Sequence, residues 1–268
     1  GGVRSPLLVR WPGLIQPGTV RDELVSFIDY APTLLSIAGV EIPSHMQGQA
    51  FLGGQTARPR QYIFAARDRM DETYDIIRCV RDKRYKLIRN FQACKPYAQY
   101  IDYMDQMPTM REMRRLHKDG KLEGPQKLFF RPEKPEFELY DDDADPHEIR
   151  NLADSPQHRD VLDRLRRALD DWMKQIQDLG LIPEEQLLER MRPGGQWAAT
   201  AAPSISFSGS RMRITCATEG ASIAYSTEPG GKWKLYTKEV TLAAGVAVRA
   251  KACRLGYTDS PEVQARSL

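Results

Sequence analysis

Four short segments, at 61–66, 74–80, 84–90 and 136–141, are β-like, and they constrain this chain more than any other feature of its sequence. The middle two meet at Asp82-Lys83, the tight turn of a hairpin, so they predict a small antiparallel sheet. Ser155-Pro156 then opens the clearest helical pattern. Val161, Leu162, Leu165, Leu169, Trp172 and Ile176 share one face, and Gly180 stands at its end. The other face is charged, so this helix can bury only one side, and the sheet is the surface available to it.

Upstream, Gly1-Gly2-Val3-Arg4-Ser5-Pro6 runs into Leu7-Leu8-Val9-Arg10-Trp11-Pro12-Gly13, which reads as an interior strand leaving the core of an α/β sheet. Its neighbouring strands are not in the sequence, so the chain reads as beginning in mid-fold. An exposed apolar patch is expected around residues 3–11 and the helix that follows. That helix is short: Asp29 as an acidic N-cap, Pro32 early, Gly39 as the stop. Residues 91–135 form a long excursion rich in Tyr, Met and Pro, with a capping box at Thr109-Met110-Arg111-Glu112. Residues 193–203 have linker composition and place a domain boundary there. The expected organisation is an incomplete first domain over 1–192, a linker, and a small β-sandwich over 204–268 built from runs at 204–207, 212–216, 222–226, 234–237 and 246–252.

The 39 basic and 36 acidic residues leave a net charge of +3, a mixed surface that argues for neither nucleic acid nor membrane binding. No stretch approaches the roughly 20 apolar residues of a membrane span. Cys79, Cys94, Cys216 and Cys253 form no CxxC pair and no Cys/His cluster, against a structural zinc site. Cys216 reads as inward and Cys253 as outward on their strands, against a bridge between them.

Three stretches in order carry a resemblance: Gly1 to Gly13; Val25-Ser26-Phe27-Ile28-Asp29-Tyr30-Ala31-Pro32-Thr33-Leu34-Leu35; and Glu138-Leu139-Tyr140-Asp141 with Asp145-Pro146-His147-Glu148 and Asn151-Leu152-Ala153. Together they resemble the C-terminal part of type I sulfatases, the formylglycine-dependent branch of the alkaline phosphatase superfamily, over about residues 1–185. Ala66 to Thr73, followed by Arg84 to Phe91, looks most like bacterial relatives of N-sulfoglucosamine sulfohydrolase. Gly220 to Thr227, Val248 to Ala252 and Gly256-Tyr257 are similar to the fibronectin-like C-terminal module of chitobiases. The fold class these likenesses imply is α/β, with a small antiparallel sheet and a packed helix, plus a small all-β fibronectin-like sandwich.

The resemblance implies hydrolysis of sulfate esters or sulfamates on a glycan or amino sugar, in a periplasmic or secreted protein. It also implies calcium and a formylglycine, both held by a missing N-terminal portion of the same fold, so this chain alone is expected to be inactive, with no catalytic residue and no metal ligand. Cys94-Lys95-Pro96-Tyr97-Ala98 satisfies Cys-x-Pro, but Ala98 stands where the family's nucleophile motif has Arg, and Cys94 reads as a loop cysteine.

The segment Arg67, Asp68, Arg69, Met70, Asp71, Glu72 is the best candidate for substrate contact. A guanidinium grips sulfate or carboxylate bidentately while acids accept sugar hydroxyls. Asp71 and Glu72 rate lower as an acid/base pair, because neighbours on a strand point to opposite faces. By family position, His45 is a candidate substrate contact and Arg4 a candidate for orienting the site's supporting shell. The series Arg78, Arg81, Lys83, Arg84, Lys86, Arg89 reads as a solvated charged face that could also attract a polyanion. Two rival readings stand beside the sulfatase: a non-catalytic carbohydrate-binding or adaptor protein, and a phosphoesterase of the same superfamily.

Overall fold

The computed structural model describes residues 5–228 and 230–267 and divides the chain into two compact units, up to Leu181 and from Ile182 onward. In the first, a 3₁₀ turn at Phe27–Asp29 leads into α1 (Tyr30–Ile37). Strands β1 (Ile63–Met70), β2 (Thr73–Arg81) and β3 (Tyr85–Asn90) follow, and the excursion carries α2 (Asp102–Asp105), α3 (Pro108–Lys118) and α4 (Gln126–Phe129). Strand β4 (Phe137–Asp141) and helix α5 (Arg159–Gln175) complete it. The four strands form one antiparallel sheet in sequence order.

The register assigns each residue to a face, because side chains alternate along a strand. Phe64, Val80, Leu87 and Leu139 pair across all four strands and make one apolar row. Against it α5 lays Leu162, Leu165, Leu169 and Met173, the core of the unit, and Trp172 stacks on Phe64 at 4.8 Å. The expected helix and its apolar face are therefore in place.

The opposite face is built differently. Its rows run Ile63, Arg81, Lys86, Tyr140 and Ala65, Cys79, Ile88, Glu138. Lys86, Glu138 and Tyr140 are buried there, and each is paired: Lys86 with Glu148, Arg81 with Asp142, and Glu138 with both Asn90 Nδ2 (2.6 Å) and the Tyr140 hydroxyl (2.6 Å). Buried polar groups without partners carry a large desolvation cost, so this face has to bring its counter-charges with it.

The N-terminal segment departs from expectation. Residues 7–10 form no strand, and Leu8 is 94% exposed. A lone strand has no neighbour to take its N–H and C=O groups, and none of the described strands pairs with this segment. The expected apolar patch is there: Leu7, Val9, Leu14, Phe27, Leu34 and Ile37 are exposed too. Helix α1 is inverted, burying Thr33 and Ser36 while Leu34 and Ile37 face outward. Asp29 is structural, but not through the capping bond assigned above. Its carboxylate accepts from Ser26 N–H (2.8 Å), Gln49 N–H (2.7 Å) and Arg60, binding the 48–60 loop to the helix start. The box at Thr109 is also displaced: Pro108 is the first residue of α3, and Glu112 pairs with Arg115 instead.

In the second unit, α6 (Glu184–Met191) precedes two antiparallel sheets. One holds β5 (Ser204–Ser208), β6 (Arg211–Thr215) and β9 (Val240–Thr241); the other holds β7 (Ser222–Ser226), β8 (Lys234–Leu235), β10 (Ala247–Cys253) and β11 (Val263–Arg266). Met212 and Ile214 from the first meet Val248 and Ala250 from the second in a shared core, with Tyr225 and Tyr236 packed against it. The 193–203 stretch is bonded to this unit at its far end, where Thr200 N–H donates to Thr258 O at 3.0 Å and Ala201 N–H to Thr218 Oγ1 at 2.9 Å. All four cysteines are free.

Leu165 is fully buried at the centre of the helix–sheet contact. Leu165→Ala is expected to destabilise the first unit by about 2–5 kcal/mol, read from the midpoint of urea unfolding followed by circular dichroism.

Candidate functional site

Residues 67–72, expected to form a loop, are the end of one strand and a tight turn. Arg67, Asp68 and Arg69 lie on β1, and Asp71 sits at the turn with φ of 49°. The β1–β2 register slips between Arg67 and Arg69, so β2 carries an extra residue opposite Asp68. The six residues therefore have different jobs.

Asp68 points to the α5 side and belongs to a clamp. The Arg78 guanidinium, 1% exposed, binds Asp68 (Nη1 to Oδ1, 2.9 Å; Nη2 to Oδ2, 3.2 Å) and Asp178 (Nε to Oδ2, 2.5 Å; Nη2 to Oδ1, 2.8 Å). Its Nη1 also donates to Arg67 O at 3.3 Å. Gly180 packs on the clamp so closely that a Cβ there would strike Arg78 Nη2 and stand 2.7 Å from Asp68 Oδ1. Burial works against the Arg78 charge, but the two carboxylates outweigh it and hold its pKa above the ordinary value. The Arg78 hydrogen bonds hold the Asp178 carboxyl below its own.

Glu72 is also engaged. Its Oε1 accepts the Asp102 N–H at 2.6 Å, at the start of α2, while Thr73 Oγ1 donates to Tyr100 O at 2.6 Å. Arg69 reaches Glu72 O at 3.2 Å and lies 5.7 Å from the Tyr74 ring centroid. Asp71 is exposed at the turn. Arg67 shares a row with Ile77 and Asn90 on the polar face, and its Nε is buried with no hydrogen-bond partner among the described residues.

The remaining candidates lie elsewhere. His45 occupies an exposed turn closed by Met46 N–H to Pro43 O at 3.0 Å, and no hydrogen bond or ion pair among the described residues joins it to the 67–72 segment. Arg4 lies outside the described residues. The basic series is a solvated face only in part: Lys83 and Arg84 stay more than half exposed, whereas Arg78, Arg81 and Lys86 are largely buried, and Arg78, Arg81, Lys83, Arg84, Lys86 and Arg89 each pair with an acid, at Asp178, Asp142, Asp22, Asp141, Glu148 and Asp170. None is left uncompensated for a polyanion. Cys94 is exposed in a turn, and among the described residues no group of three or more His, Cys, Asp or Glu side chains is arranged to hold a metal ion.

The sequence reading missed how the excursion is attached. Lys134 pairs with Asp75 in full burial, Gln99 Nε2 donates to the same Asp75 at 2.9 Å, and Lys95 Nζ donates to Tyr74 O at 2.5 Å. These bonds fix residues 95–102 beside the β1–β2 turn. The period-2 pattern of β2 gives only a faint signal, in the polar Asp75 and Arg78 within an apolar run.

With this geometry in hand, the comparisons bear on it directly. Residues 1–128 match the family described as N-sulphoglucosamine sulphohydrolase, C-terminal. Those residues carry a C-terminal sulfatase domain. The chain is 39% identical over 269 residues to an ulvan-active sulfatase of Formosa agariphila, an alignment covering 98% of this chain and 45% of that protein. It is 26% identical over 210 residues to human N-sulphoglucosamine sulphohydrolase, covering 68% of this chain and 41% of that protein. A solved structure described as a 2-O GAG sulfatase aligns with a TM-score of 0.37 at 21% identity, over 56% of this chain and 25% of that one. The chain thus spans less than half the length of these sulfatases. Arg78 and Asp68 of the clamp, the β1–β2 turn and the head of the excursion fall inside the matched residues, whereas the clamp's Asp178, β4 and α5 lie beyond them.

Two outcomes test the site's electrostatics. Because the native Asp178 pKa is depressed, its contribution is present above the unfolded value near 3.8 and is lost as pH falls through that value toward the native one. Asp178→Asn is expected to cost about 1.5–3 kcal/mol at neutral pH, a deficit that shrinks as pH drops below 4 in parallel urea titrations. Burial pushes the Cys79 thiol up to about 12. Under native conditions at pH 8 a thiol reagent is expected to label Cys94 and Cys253 quickly and to spare Cys79, read by peptide mass mapping.

Proposed function

We propose that this chain is the C-terminal portion of a periplasmic or secreted sulfatase that removes sulfate from glycans, contributing substrate contacts while the rest of the polypeptide holds the chemistry. The observation that carries the reading is the alignment with an ulvan-active sulfatase through almost the whole of this chain. In that arrangement formylglycine supplies the nucleophile and calcium the charge that balances the sulfuryl group. Both are proposed to be held by the rest of the polypeptide. What this chain does in that reading is receive and orient: Arg67, whose Nε has no hydrogen-bond partner among the described residues, offers its guanidinium to a sulfate or carboxylate, and the Arg78 clamp bonds the Arg67 carbonyl.

The outward apolar residues of α1 and the unpaired segment before it support the same reading. Exposed apolar side chains gathered in one stretch of chain suit an interface, and the remainder of a sulfatase-length fold is the partner proposed for them. The substrate class follows the relatives, whose names point to ulvan and to N-sulfated glucosamine, and an N-sulfated glucosamine is the narrower proposal here. For the second unit we propose the fibronectin-like module seen at the ends of chitobiases, consistent with its two sheets around one core.

The test is sulfate release measured by ion chromatography from ulvan and from N-sulfated glucosamine oligosaccharides. The 268-residue chain alone is expected to release none, and the longer polypeptide that contains it to release sulfate. Phosphate release from phosphoesters in place of sulfate, or glycan binding without any hydrolysis by the longer polypeptide, would overturn the reading.

A further inference from the structure

Tyr103 is 72% exposed and Tyr100 58%, two of the most exposed aromatic rings in the first unit, on a segment the fold takes trouble to hold still. Between them in sequence Ile101 is buried, an apolar anchor for the segment. The main chain on either side of Ile101 is tied to the β1–β2 turn, by Thr73 Oγ1 to Tyr100 O and by Asp102 N–H to Glu72 Oε1, both at 2.6 Å. Arg114 closes the far side, binding Asp105 at 2.8 Å and the carbonyls of Ala98 (3.3 Å) and Gln99 (3.1 Å). The Tyr100 hydroxyl donates to Asp102 Oδ1 at 3.0 Å, which restrains that ring.

Exposed aromatics on a floppy loop would lose conformational entropy on binding anything. Here that cost has already been met, because tyrosine has two side-chain torsions and its backbone is bonded across 27 to 30 residues of sequence to the turn. The negative face of a phenol ring suits the C–H face of a pyranose, whose hydrogens carry partial positive charge. The head of the excursion stands beside the β1–β2 turn, and Arg67 lies on the strand that leads into that turn.

We propose that Tyr100 and Tyr103 form a sugar-stacking subsite that grips a pyranose ring of the sulfated glycan next to the charged turn. The inference rests on the glycan-sulfatase reading above and adds residues which that reading does not include. Stacking uses the ring face alone, so the hydroxyl of Tyr103 is dispensable, and the subsite binds the sugar whether or not that residue carries sulfate.

The experiment is calorimetric titration of the 268-residue chain with an N-sulfated glucosamine oligosaccharide and with its desulfated counterpart. Tyr103→Ala and Tyr100→Ala are each expected to weaken both ligands about tenfold, and Tyr103→Phe to retain wild-type affinity. Arg67→Ala is expected to weaken only the sulfated ligand. Unchanged affinity in both alanine variants, with loss in Arg67→Ala, would overturn the subsite and leave the glycan reading standing. No binding of either oligosaccharide by the wild-type chain would overturn both. Circular dichroism melts of each variant, expected within a few degrees of wild type at these exposed positions, separate loss of binding from loss of fold.

Discussion

Each strand of the first unit serves two faces that ask for opposite chemistry, and the rest of that unit follows from this demand. Toward α5 the sheet presents Phe64, Val80, Leu87 and Leu139, where burial is favourable on its own. On the other side the same strands present Arg81, Lys86, Glu138 and Tyr140, which cannot be buried without partners. Glu138 finds partners within the sheet, at Asn90 and Tyr140, and other partners come from outside it. Asp142 and Glu148 are supplied by the chain leaving β4, and Tyr97 reaches Glu138 from the excursion. Burial raises the Tyr97 and Tyr140 hydroxyls, and the carboxylate of Glu138 adds to it, so both stay protonated donors. The long excursion is therefore ordered by charge, through Glu138 and the Asp75–Lys134 pair, where an apolar core would have ordered it by area.

Such an arrangement is weak as a source of net stability and strong as a source of position. A buried ion pair roughly offsets its own desolvation, yet removing either member leaves an uncompensated charge. Asp75 accepts from both Lys134 and Gln99, which come from opposite ends of the excursion, so the segment between them can sit in only one way. Non-specific apolar packing would allow the excursion to slide. The polar layer fixes it to the β1–β2 turn, where Glu72 and Thr73 complete the attachment.

The elements that bury apolar rows were legible in the sequence. The hairpin at Asp82-Lys83, the strands near 74–80, 84–90 and 136–141, and the face of α5 all follow from periodicity, since periodicity is what burial of one face imposes. Where charge decides the structure, the pattern was misleading. Arg78 and Lys86 read as solvent-facing because nothing local announces that Asp178, 100 residues away, or Glu148 will meet them. Asp29 was recognisable as structural, but its role binds Gln49 and Arg60, and a helix cap is only the local part of the options open to such a residue. Short strands such as β9 and β11 escaped notice because two to four residues carry too little alternation to register.

The same logic narrows the candidate site. Cations on β1, β2 and β3 look interchangeable in sequence, yet the fold spends them differently. Arg78, Arg81, Lys86 and Arg89 are used up in holding the unit together, and their charge is neutralised where it stands. Arg67 has its carbonyl held by the Arg78 clamp while its own Nε lacks a partner among the described residues. These two features set Arg67 apart from Arg78, Arg81 and Lys86, whose charges are paired. The distinction between the two kinds of arginine lies in what the surrounding chain brings to them, and that is visible only once the sheet has assigned its faces.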